Sequence, residues 1–215
     1  MPNRTLNVVF NDRESETRTP SQPLVVIPAE ARDRYSAMPP VPYVSAAEAD
    51  LTQIAPGRPR AAGQAIVVVG RVLDEDGRPV RRTLLEVWNA NTHGRYSHSG
   101  DTPRPEAPLD PNFYGFGRLM TDDDGSYRLK TIKPGAYLAR SDIDWWRPPH
   151  VHFSIIGGGV RLVTQMYFPD EPLNAKDHIH MIIPEADRHR VIAVPVEPFA
   201  FRFDIVVRGC HQTLF

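Results

Sequence analysis

One cysteine, Cys210, is all that the 215-residue chain contains, so no internal disulfide can form. A chain of that kind suits a reducing compartment, and a cytoplasmic location is expected. A surplus of charge is missing too: the formal net charge is −1. Without a basic surplus there is no electrostatic footprint for nucleic acid, and without an acidic block there is no solvating tail. No apolar run reaches membrane-spanning length, so no membrane partner is expected. The opening stretch MPNRTLNVVFNDRESETR has no apolar core ahead of a small-residue cleavage site, which argues against a secretory signal. Heptads, repeats and low-complexity tracts are absent. Turn residues, by contrast, are plentiful: 22 prolines and 14 glycines favour many turns and few long helices. With 24% charged and 41% hydrophobic residues, the composition is that of an ordinary soluble globular protein.

Residues 1–62 read as an irregular, proline-rich N-terminal arm, with a short helical turn expected over Ala46–Leu51. From residue 63 the texture changes to short β-branched and apolar runs, and residues 63–215 read as one β-sandwich catalytic domain. Strands are expected at 65–73, 83–90, 126–132, 151–156, 161–168, 191–196 and 199–209. The strings DEDG (74–77) and DDDG (122–125) suit β-turns; they lack the ligand spacing and closing glutamate of a calcium loop. Gly157–Gly159 suits a hairpin connection. Short strands separated by turns predict an all-β fold, an antiparallel β-sandwich.

Within this frame the run WRPPHVHF (146–153) carries the most chemistry. His150 and His152 are two apart, so on a strand both imidazoles face the same way. Paired imidazoles are half of a metal site, although such pairs also arise without one. Arg147, always charged, suits an anionic ligand nearby. Tyr114, in DPNFYGFGR, and Tyr137, in KPGAYLAR, fit a packing role first when taken alone, and have the chemistry of phenolate donors to a trivalent cation. A second pair, His178 and His180, reads as structural or surface, Trp88 as core, and Trp145 and Trp146 as wall and core.

Taken in order, GRVLDEDGRPV, TLLEVWNAN, DPNFYGFGR, TIKPGAY, WRPPHVHF and TQMYF resemble the intradiol ring-cleavage dioxygenases, and within them the β-type chains. The resemblance runs from about Thr19 to the C-terminus and is best over 65–170. It implies a non-haem Fe(3+) cofactor held by Tyr114, Tyr137, His150 and His152. It also implies catalytic roles for Tyr137, which leaves the metal and takes a substrate proton, for Arg147, which stabilises developing negative charge, and for Gln165, which orients Arg147. The implied reaction joins a catechol and O2 to give a cis,cis-muconate-type diacid. Protocatechuate is the first expected substrate; 4-sulfocatechol and hydroxyquinol are alternatives. The implied partner is an α-type subunit, or further copies in a homo-oligomer. Three departures bear on the substrate. Leu138-Ala139 stands where the family has Pro-Trp, a carboxylate-binding tyrosine has no clear counterpart, and RYSAMPPVPYV replaces a glycine-containing stretch. A non-catalytic β-sandwich binding module would share the strand–turn–strand pattern, but leaves the tyrosine, arginine and histidine set unexplained.

Overall fold

The computed structural model describes residues 48–214 apart from 56, 99, 102–104, 158 and 159, so most of the expected arm lies outside it. Twelve strands are described: β1 (Glu48–Asp50), β2 (Ala65–Leu73), β3 (Leu84–Trp88), β4 (Phe116–Met120), β5 (Ser126–Ile132), β6 (Tyr137–Arg140), β7 (Trp145–Arg147), β8 (His150–Gly157), β9 (Val160–Tyr167), β10 (Val194–Glu197), β11 (Ala200–Arg202) and β12 (Ile205–Val206). The single α-helix described, α1 (His178–Ile182), is one turn and a half long.

Two sheets form the sandwich. One runs β1-β5-β2-β11-β10, with β12 also on β2; the other runs β4-β3-β8-β9 and is antiparallel throughout. The all-β sandwich expected from the sequence is therefore present. The first sheet adds parallel pairings of β1 with β5 and of β11 and β12 with β2.

Alternation builds the core. In β2, Ile66, Val68 and Val72 turn inward, and in β8 Val151, Phe153 and Ile155 do the same. They meet Leu85, Val87, Leu119, Leu129 and Met166 in one cluster. Burial of each such side chain contributes about 1.5–3 kcal/mol. The acidic strings are turns as expected: Gly77 N–H donates to Asp74 O and Gly125 N–H to Asp122 O.

Some expectations change. Where a helical turn was expected, Glu48–Asp50 is a strand, paired to β5 and followed by a bond from Leu51 N–H to Lys130 O at 2.8 Å. Pairing with a sheet edge overrides the helix propensity of this Ala/Glu stretch, as tertiary context often does. Leu51 and Ala61 are buried in the core, so the described end of the expected arm packs with the sandwich. FGRLM (116–120), not among the expected strands, is β4, because its register on β3 buries Gly117 and Leu119.

Candidate active site

The four-stranded sheet has a second face, and the site lies on it. Because β8 alternates, His150 and His152 point away from the core that Val151 and Phe153 fill. Their neighbours across β9 are Tyr167 and Gln165, and across β3 His152 faces Trp88. Trp88 and His152 rings stack at 4.7 Å with planes 3° apart. Trp88, expected in the core, instead forms a wall of the site and fixes the ring plane of one histidine.

Two segments lie over this face. The hairpin β6–β7 pairs Tyr137 with Arg147 in register. The segment that follows β3 carries Tyr96. A buried Asn91 turns the chain there, accepting through Oδ1 from the N–H groups of His93 and Arg95. Asp101 then clamps the next residues: its carboxylate pairs with Arg95 at 3.4 Å and accepts from Tyr96 N–H at 2.9 Å. Gly94, at φ 72°, packs directly on Ala136 O, and a Cβ there would lie 2.9 Å from Tyr137 Cβ. Only glycine permits both that backbone angle and that approach. The two tyrosine-bearing segments consequently touch, and the Tyr96 and Tyr137 rings meet edge to face at 5.6 Å.

The polar atoms converge closely. Tyr96 OH lies 3.3 Å from His150 Nε2 and 3.2 Å from His152 Nε2, and the two Nε2 atoms are 3.1 Å apart. Tyr137 joins through its edge-to-face contact with Tyr96 and a ring contact with His150 at 5.9 Å. The opposite nitrogen of His150, Nδ1, is 2.7 Å from Pro148 O. That carbonyl can only accept, so Nδ1 carries the proton and Nε2 presents a bare lone pair. Burial, with the Arg147 charge behind it, pushes His150 down to about 3. Burial and the neighbouring His150 and Arg147 hold His152 well below the imidazole range. Burial raises both phenols, Tyr96 and Tyr137, with the Arg147 charge opposing the rise of Tyr137.

Tyr114 is not brought to this group. It is 46% exposed, and among the described contacts it has none with either histidine. The tyrosine at the histidines is Tyr96, which replaces Tyr114 in the candidate set. The two sequences mislead by their likeness, since each tyrosine follows a turn and has a glycine within two residues. What separates them is Asp101 with Arg95, which turns Tyr96 inward, whereas Tyr114 precedes a glycine at φ 67° that leads straight into β4. GRYSH next to a turn-forming Asn91 was the available signal.

Arg147 and Gln165 do meet. Arg147 is 5% exposed, and its Nη2 donates to Gln165 Oε1 and to Tyr167 OH, the latter at 3.3 Å. The second histidine pair stays outside the cluster: His178 stacks on Trp145 at 5.0 Å, and His180 packs on Tyr167 at 4.9 Å. Ala139 lies in the irregular part of the β6–β7 pairing and is exposed.

Among the described residues no three His, Cys, Asp or Glu side chains gather as a metal cluster. The donors that do gather are two imidazoles and two phenols, and they fit a cation better than they fit one another. The bare Nε2 of His150 has His152 Nε2 at 3.1 Å and Tyr96 OH at 3.3 Å, and a shared cation would engage both imidazoles and the phenol oxygen at once. Neutral imidazole suits iron, and a trivalent ion reverses the preference of a buried phenol for its proton.

An antiparallel sandwich whose outer sheet face holds this donor set is matched over residues 39–209 by the model of a dioxygenase family, and the chain belongs to that family, as an intradiol ring-cleaving dioxygenase. It is 47% identical over 210 residues to the protocatechuate 3,4-dioxygenase beta chain of Burkholderia cepacia, covering 94% of this chain and 88% of that one. It is also 34% identical over 166 residues to the protocatechuate 3,4-dioxygenase alpha chain of Pseudomonas putida, covering 74% and 78%. The fold is shared with hydroxyquinol 1,2-dioxygenase from Pseudomonas putida DLL-E4, at a TM-score of 0.58 and 21% identity over 91% of this chain and 70% of that one.

Proposed function

We propose that this chain cleaves the ring of protocatechuate, or of a closely related substituted catechol, with O2 to a cis,cis-muconate-type diacid. The observation that carries the reading is the convergence of Tyr96 OH and the Nε2 atoms of His150 and His152 within 3.1–3.3 Å, on a sheet face lined by Arg147. Tyr96, Tyr137, His150 and His152 would hold ferric iron, which supplies one-electron and O2 chemistry that no side chain provides.

The residues have separate tasks. Trp88 and the Nδ1–H bond to Pro148 O fix the two imidazole planes. Tyr137 pairs in register with Arg147, so its phenol oxygen would be the one beside the cation and suited to accept a catechol proton. Arg147, held beside Tyr137, supplies fixed positive charge where the ring oxygens gain negative charge. Preorganised charge of this kind acts without reorganisation at the moment of reaction. Gln165 holds the guanidinium in place. A ring carboxylate, sulfonate or hydroxyl is accommodated at the open side near Leu138 and Ala139, which favours a broader catechol range than an aromatic wall there would permit.

An α-type partner, or further copies of the chain, is part of the proposal. Its support is a relative of the alpha-chain kind together with Val194, Val196 and Phe199, which stand 59%, 48% and 58% exposed on β10 and the turn to β11. Among the described residues no helix is long and apolar enough to cross a membrane, and the lone cysteine favours the cytoplasm.

Oxygen uptake by iron-loaded protein with protocatechuate, 4-sulfocatechol, hydroxyquinol and 4-methylcatechol tests the reading, alongside the visible spectrum. Uptake with at least one of them and a reddish-brown tyrosinate band are expected. Tyr96→Phe is expected to lose iron or the band. A colourless iron-loaded protein, or an unaltered spectrum in Tyr96→Phe, refutes the ligand set.

A further inference from the structure

The carboxylate of Asp177 is fully buried, at 0% exposure, immediately before α1. Its Oδ2 caps the helix by accepting from His180 N–H at 3.3 Å. Capping accounts for one contact of four. Oδ2 also accepts from Tyr167 OH at 2.9 Å, Oδ1 accepts from Trp145 Nε1–H at 3.0 Å, and Oδ1 pairs with Arg147 Nε at 2.9 Å. A cap is served equally well by serine, threonine or asparagine, which bring no buried charge. The charge therefore has another use, and among the described residues the cation in contact is Arg147.

The contacts on Arg147 are arranged along one edge of its planar fork. Nε faces Asp177, and Nη2 faces Gln165 and Tyr167. Among the described contacts none engages Nη1. Tyr167 closes the ring of bonds, since its hydroxyl touches Asp177, Arg147 and Gln165. The guanidinium is thus held along its Nε–Nη2 edge, by an ion pair without a hydrogen bond at Nε and by hydrogen bonds at Nη2. The same carboxylate also offsets a charge that would otherwise bear undiminished on two neutral imidazoles.

We propose that Asp177 is the positioning residue for Arg147: it fixes the guanidinium through Nε and leaves Nη1 for the substrate. This rests on the reaction proposed above. Asp177→Asn keeps the size and an acceptor oxygen but removes the charge. It is expected to lose kcat by about 10–100-fold, the range for outer-shell partners, with KM, iron content and the visible band little changed. The decisive arm is a double-mutant cycle. In an Arg147→Ala background, Asp177→Asn should cost nothing further in kcat, because the residue it acts through is gone. An undiminished loss in that background, or a crystal structure of Asp177→Asn with Arg147 unmoved, overturns the inference while leaving the ring-cleavage reading intact. Absence of oxygen uptake by the wild-type holoenzyme overturns both, and is seen before any variant is made. If Asp177→Asn does not fold, Tyr167→Phe tests the same arm, since it cuts the hydroxyl linking Asp177 to Arg147. A severalfold kcat loss that vanishes with Arg147→Ala supports the role, and one that persists removes it.

Discussion

The two faces of the β4-β3-β8-β9 sheet are made from the same strands and differ by one residue of register. On the inner face Val151, Phe153 and Ile155 are 0–1% exposed and belong to the hydrophobic core cluster. On the outer face His150 and His152 meet phenols, an indole and a guanidinium. The inner face needs little beyond apolar character and volume. The outer face needs named atoms at named distances, and it draws them from four separate segments. A one-residue slip would exchange the two, which is why the wide pairing of β8 with both β3 and β9 matters to function as well as to stability.

Substitutions can break that comparison from either side. The largest effect is expected inside. Phe153→Ala should cost about 3–5 kcal/mol of stability, read from denaturant unfolding, while protein that remains folded keeps its band. Outside, Arg147→Ala should keep iron but lower kcat by about 10²–10³, or about 2.7–4 kcal/mol of transition-state stabilisation, and it should also lower stability, because the buried Asp177 carboxylate loses its cation. Near wild-type turnover in that variant would show that the outer face does not use its charge.

Acid sharpens the contrast, because only the outer face titrates. The folded pKa of His150 lies near 3 and its unfolded value near 6.5. Its contribution is therefore fully present above about pH 6.5 and is lost as pH falls toward about 3, because the unfolded chain binds the proton first. Metal-free protein should show a melting temperature that declines through this window, and replacing His150 should flatten the decline. The smallest effect is expected at Tyr114→Phe. An exposed phenol away from the cluster should change stability by less than about 0.5 kcal/mol, and the visible band should be unchanged. Loss of the band would return Tyr114 to the site in place of Tyr96.

The two faces also differ in how far they are legible from sequence. The inner face writes itself as alternation, and so β2 and β5 fall at the bounds expected for them, while the expected runs around 151–156 and 161–168 contain most of β8 and β9. The histidine pair is legible for the same reason, being two residues apart on a strand. Tyr96 is not, because its position comes from Asn91, Asp101 and Arg95 bending one segment, and from the approach of Gly94 to Ala136. None of these has a period. Trp88 misleads because an aromatic on an apolar strand reads as core, yet its position in β3 places it on the other face. Asp177 reads as an ordinary residue before a second histidine pair; only the fold shows four donors around it.

The contact between Gly94 and Ala136 has a consequence for how this protein can vary. A metal donor can be exchanged, at some cost, for another side chain with an oxygen or nitrogen. Gly94 offers no such exchange, since no side chain is smaller than a hydrogen atom. The position has no side chain of its own, yet any replacement there drives apart the two segments that bear the phenols. The most intolerant residue near the site is therefore one with no chemistry of its own, and a survey of tolerated substitutions should find position 94 emptier of alternatives than the tyrosines it keeps together.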